Sequence, residues 1–142
     1  LENINSYDAS ITFAEDIDFF IRCFSKYNLA YHYDICHTQN TTVTSSLTQS
    51  STQDKTYPDL KKYIDQSANT DKFIYFYMYC FCQRLKLEKR HNQLKKIRKE
   101  IDVKHLNVIQ VVLLYLPYPF YKLLIKFKKV LIMKGIQPTS YR

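Results

Sequence analysis

The sequence predicts a mainly α fold with a small β part, on three observations. A single glycine among 142 residues leaves few positions for tight turns, so helices are expected to dominate. Apolar and aromatic residues recur at helical spacing over most of the chain. Only Leu29 to His37 alternates in the manner of a strand, and it is rich in tyrosine.

Residues 1–14 read as a loop, with a short extended piece expected at Ser10 to Phe13. The first helix runs from about Glu15 to Tyr27. Phe19, Phe20, Cys23, Phe24 and Tyr27 recur at its spacing, and Asp18, Arg22 and Lys26 follow i, i+4 steps on the other side. Carboxylates in its first turn suit the positive end of the helix dipole. Asn28 turns the chain into the Leu29 to His37 strand. From Thr38 to Thr56 the residues are mostly Thr, Ser, Gln and Asn, which bury too little apolar area to offset the entropy of ordering, so a loop is expected.

Pro58 suits the first turn of a short helix ending near Gln66. Asp71 is expected to open an apolar helix to Leu87, with Phe73, Ile74, Phe76, Tyr77, Cys80 and Phe81 making it a buried centre piece. Arg84 to Lys104 carries Arg90, Lys95, Lys96, Arg98 and Lys99 with few acids between them, the pattern of a solvated helical face. Asp102 can cap a helix over Val103 to Leu116, ended by Pro117 and Pro119. The last helix, Phe120 to Lys134, sets Leu123, Leu124, Phe127, Val130 and Leu131 against Lys122, Lys126 and Lys129. Such a lysine-lined amphipathic helix can lie on an anionic bilayer, and these three lysines are the expected membrane contacts. No apolar run reaches the ~18 residues needed to span hydrocarbon.

The net charge of +8 favours anionic partners. Cys23, Cys36, Cys80 and Cys82 lack the spacing of a zinc site or a disulfide framework and read as reduced core residues. His32, His91 and His105 show no ligand spacing and read as surface groups. The basic run at 84–104 lacks aromatic interleaving or a nucleic-acid motif, so no nucleic-acid partner is expected.

Glu15-Asp16 is the chemically suggestive pair. Taken alone, an aspartate at a helix start more often caps the helix or compensates its dipole than catalyses anything. The order of features around it adds weight. A small residue precedes Glu-Asp, an apolar helix with Arg22 follows, and then come a Lys-Tyr-Asn turn, an alternating stretch through Tyr31 and Tyr33, His37 and a Thr/Asn-rich loop. Across about residues 1–50 that succession resembles the C-terminal part of the catalytic domain of a bacterial family 2 glycosyltransferase, the inverting kind with a GT-A nucleotide-sugar fold.

The resemblance implies that residues 1–56 are the C-terminal fragment of a GT-A-like α/β domain and residues 57–142 a helical, basic, membrane-associated extension. It assigns the general-base role to Asp16, acceptor orientation to Glu15, and a place near the donor diphosphate to His37. Arg22 is read as pairing with Asp18. The implied partners are a nucleotide-sugar donor and a glycan or lipid-linked acceptor, in surface polysaccharide synthesis on the inner face of the plasma membrane. A complete enzyme of this kind uses a divalent cation, Mg or Mn, on an Asp-x-Asp motif. The only Asp-x-Asp here, Asp16-Ile17-Asp18, starts a helix, so the cation site is expected outside this chain and the isolated chain is expected to be inactive. The alternative is a non-enzymatic basic helical module that binds acidic membrane or nucleic acid.

Overall fold

A computed structural model of the chain describes residues 6–28, 30, 34 and 55–136. Their α-helices are α1 (Glu15–Phe24), α2 (Ala68–Leu87), α3 (His91–Glu100), α4 (Val108–Tyr115) and α5 (Tyr118–Met133), with short 3-10 turns at Leu60–Tyr63 and Val103–His105. The chain divides into two compact units, Leu1–Leu60 and Lys61–Arg142.

The expected small β part, and with it a fragment of a GT-A-like α/β domain, is not seen: among the described residues there is helix and loop but no strand and no sheet. Of the strand expected over Leu29 to His37, only Ala30 and Asp34 fall within the described residues. The extended piece at Ser10 to Phe13 forms no ladder. Thr12 and Phe13 both donate their N–H to the Thr56 carbonyl at 3.2 Å, and Thr56 N–H returns a bond to Thr12 Oγ1 at 2.9 Å. Two donors converging on one carbonyl make a clasp, whereas a strand pair would alternate partners along both chains. Phe13 adds a tilted ring contact with Tyr57, and Lys55 lies over the Phe13 ring.

In the second unit α2 is the centre piece. It packs on α3, α4, α5 and the Val103–His105 turn, and Ile74, Cys82 and Leu85 are wholly buried along it. The helix begins at Ala68, one turn ahead of Asp71, because Ser67 Oγ accepts from Thr70 N–H and caps it. Asp71 receives the incoming chain instead, its Oδ1 accepting from Asp65 N–H at 2.9 Å. After Pro58 there is a single 3-10 turn and no α-helix. Phe73, expected in the core, is exposed.

The C-terminus of α2 closes with Lys89 N–H bonding Lys86 O and Arg90 N–H bonding Leu85 O. That is the Schellman pattern, which places Lys89 in the left-handed region at φ 59, a site that usually selects glycine. The one glycine of the chain, Gly135, holds the equivalent place after α5, at φ 80.

The helix expected over Val103 to Leu116 is divided. Asp102 caps only the 3-10 turn, accepting from Lys104 N–H, and Asn107 starts α4 afresh. Asn107 and Gln110 exchange side-chain to backbone bonds of 2.8 and 2.9 Å, a reciprocal capping box. Pro117 ends α4, and Pro119 sits in the first turn of α5.

Tyrosines at every third position then meet cations from the end of α2 and from α3. Arg98 lies over Tyr115, Lys89 over Tyr118 and Lys86 over Tyr121, at 5.3, 5.7 and 4.9 Å. This row accounts for part of the basic run at 84–104, which is therefore not wholly a solvated face. Cys80 and Cys82 are free thiols inside the unit, and burial pushes them up to about 11 and about 12. Cys23 is also a free thiol, while Cys36 lies outside the described residues.

Candidate functional site

The start of α1 is set by Ala14, a non-glycine residue in the left-handed region at φ 60 and ψ 34. Ala14 supplies no side-chain cap, and the carboxylates of Glu15, Asp16 and Asp18 stand in the first turn near the positive end of the dipole. Those three carboxylates occupy different surroundings.

Asp18 is 1% exposed, and its Oδ2 accepts from Arg22 Nε at 2.9 Å. Arg22 also donates to the Ser6 carbonyl at 3.0 Å and lies over the Phe19 ring, on which Tyr7 stacks at 4.7 Å. One guanidinium thus fastens residues 6–7 to α1 and neutralises the buried carboxylate. Arg22 pairs with Asp18, as its i, i+4 spacing predicts.

Asp16 is exposed. Its Oδ1 accepts from Ile17 N–H at 2.9 Å, which orients the group, and among the described residues Oδ2 has no hydrogen bond or ion pair. Glu15 beside it is half-buried. Four and eight residues on, the same face of α1 carries Phe20 and Phe24, both exposed and stacked at 5.8 Å with a 6° interplanar angle. The structure therefore places an accessible, fixed carboxylate at the head of an exposed aromatic stripe. His37 lies outside the described residues.

A divalent cation does not fit Asp16-Ile17-Asp18. Asp18 is turned inward onto Arg22 while Asp16 faces solvent, so the two carboxylates cannot converge on one ion. Among the described residues no three His, Cys, Asp or Glu side chains come together as a cation site.

The second unit holds a cleft of about 380 Å³ lined by residues that include Asn69, Lys72, Phe73, Phe76 and His105. Asn107 and Gln110 also line it, but the capping box engages both. His105, expected at the surface, is half-buried and stacks on Tyr75 at 4.8 Å.

Lys86 is a polar group that residue spacing does not single out. It is buried, and its Nζ donates to the carbonyls of Leu113, Leu114 and Leu116 at 2.7, 3.0 and 3.0 Å. These are orphan acceptors at the C-terminus of α4, so one ammonium from α2 caps another helix. Burial, with a smaller push from Arg98, lowers its pKa to about 8. The signal in the sequence is its position on the apolar side of α2, one residue after Leu85.

Lys122, Lys126 and Lys129 are exposed on α5, which carries no acidic residue. No helix among the described residues is long and apolar enough to cross a membrane.

No family model, curated protein or solved structure matches the chain.

Proposed function

We propose that the chain is part of an inverting glycosyltransferase in which Asp16 is the general base. The observation that carries this reading is the division of labour at the start of α1. Asp18 is neutralised by Arg22 inside the unit, while Asp16, two residues earlier, is accessible, oriented through Oδ1 and open at Oδ2.

A sugar hydroxyl is a poor nucleophile. A carboxylate held within hydrogen-bond reach takes its proton as the oxygen attacks the anomeric carbon, and such assistance contributes typically 10²–10⁴-fold. Attack from the face opposite the departing nucleoside diphosphate inverts the configuration in one displacement. Asp16 performs the proton transfer and Glu15, half-buried beside it, orients the acceptor. His37 is assigned to the donor side by the resemblance alone. The donor is a nucleotide-sugar and the acceptor a glycan or lipid-linked glycan, with the enzyme peripheral on the inner face of the plasma membrane. The divalent cation of the complete enzyme is held outside this chain, because Asp16-Ile17-Asp18 does not fit one.

The test is Asp16→Asn in the intact enzyme. Transfer is expected to fall at least ~100-fold with donor affinity unchanged, since the amide keeps the shape and loses the basicity. A variant that keeps most of the rate would make Asp16 a helix-starting charge only and leave the basic helical module as the better reading.

A further inference from the structure

The last acidic residue of the chain is Asp102, and seven cations follow it: Lys104, the five lysines of 122–134, and Arg142. Nearly the whole net charge of +8 therefore belongs to the last 40 residues. Within them α5 is fastened to its unit along one edge. Tyr121 is buried beneath Lys86, and Ile125 is half-buried one turn later.

At roughly 100° per residue, Phe120, Leu123, Leu124, Phe127 and Val130 centre about 140° around the helix from that edge. They face away from their own unit and are exposed, Phe120 by 61%, Leu123 by 65% and Phe127 by 59%. Lys126 and Lys128 border this apolar face, about 100° to either side of its centre, while Lys122 and Lys129 lie farther behind.

We infer that this face of α5 docks on an anionic phospholipid surface, with the apolar side chains among the acyl ends of the headgroup region and Lys126 and Lys128 reaching the phosphates at its margins. Composition separates a bilayer from a protein as the occupant. Protein interfaces are depleted in lysine and rely on geometrically specific polar pairs. Apart from tyrosine hydroxyls, α5 offers only lysine, with no Arg, Asn, Gln, Ser or Thr. A lysine presents a point charge on a long apolar stem, which suits a fluid layer of phosphates. A helix of 16 residues with this pattern lies in the interface plane instead of spanning it. The inference extends the peripheral placement proposed above and uses no property of Asp16, so its test can fail without that of Asp16 failing, and the reverse.

The experiment is binding of the full chain to vesicles of phosphatidylcholine with about 30% phosphatidylserine, against phosphatidylcholine alone. The chain has no tryptophan, so Phe127→Trp gives a single emission probe at the centre of the face. Expected results are binding to the anionic vesicles only, weakened by salt, with a blue shift of the indole emission from the Phe127→Trp chain. Lys126→Gln/Lys128→Gln is expected to lose about 25-fold, near fivefold per bordering lysine, and Lys122→Gln/Lys129→Gln less.

Binding with no blue shift, a larger loss from the Lys122 and Lys129 pair, equal binding to neutral vesicles, or no binding would each overturn the proposal. So would a stable dimer in sedimentation that buries the indole probe without lipid.

Discussion

At the scale of single residues, the two aspartates of α1 show that spacing predicts a partner, Arg22 for Asp18, without predicting burial. Asp16 and Asp18 are identical in type and two positions apart, yet the helix turns one to solvent and the other inward, where it has only 1% exposure. A buried carboxylate is tolerated because Arg22 neutralises it. Removing the cation leaves the charge in place, so Arg22→Met is expected to cost roughly 3 kcal/mol in urea denaturation. The double change Asp18→Leu/Arg22→Met is expected to return to within about 1 kcal/mol of the parent, since an ion pair replaced by apolar side chains is often neutral. A single variant as stable as the parent would show that the pair contributes nothing to α1. Lys86 poses the same issue in the second unit with carbonyls as partners. Lys86→Met strands the three carbonyls at the end of α4, and a loss of about 3 kcal/mol is expected at pH 7. Its urea midpoint is the measurement, and an unchanged midpoint would mean that those carbonyls find other donors.

At the scale of elements, residue patterning locates the five helices described but misjudges where several begin. Periodicity puts the start of α2 at Asp71 because Ala68, Asn69 and Thr70 carry no large apolar side chain and add little to a hydrophobic face, whereas the actual signal is Ser67, three residues before the Thr70 N–H that it caps. The stretch from Val103 reads as one helix by periodicity. Asn107-Val-Ile-Gln110 divides it, a pattern legible only to a search for reciprocal caps. The small β part rests on alternation in a tyrosine-rich stretch, a weak signal without a partner strand to pair with. Thr12 and Phe13 show how an extended segment can be satisfied by a single carbonyl. The candidate site is legible to the extent that it is local. A carboxylate at a helix start can be read from residue order, but which of two carboxylates stays accessible depends on Arg22 and Ser6, sixteen residues apart. The Lys86 cap joins positions 27 to 30 residues apart, which no local pattern encodes.

At the scale of the whole chain, the buried titratable groups of the second unit predict how stability responds to pH. Lys86 is held near 8 in the folded state against an ordinary 10.5, so the unfolded chain binds more protons between those values and stability from this group rises with pH across that window. The thiols act in the opposite sense. Cys80 and Cys82 are raised from 9 to about 11 and about 12, so their contribution is complete below pH 9 and is lost as pH climbs toward 11–12. Tyr121, raised from 10 to about 12 mainly by burial, adds a further loss above pH 10. One base gains from about pH 8 upward, and four acids lose, the two thiols from 9 upward and Tyr121 and Tyr75, the latter also raised mainly by burial, from 10 upward. The urea midpoint, measured under reducing conditions from about pH 7 to about pH 10.5, is therefore expected to rise slightly to about pH 9 and then fall steeply. Lys86→Met is expected to abolish the rise and keep the fall. Cys80→Ala/Cys82→Ala is expected to keep the rise and delay the fall until above pH 10, where Tyr121 and Tyr75 take over. A profile that falls from about pH 7 in the parent, or one that Lys86→Met leaves unchanged, would mean that Lys86 keeps an ordinary affinity for its proton despite burial, and that its three carbonyls outweigh the loss of water.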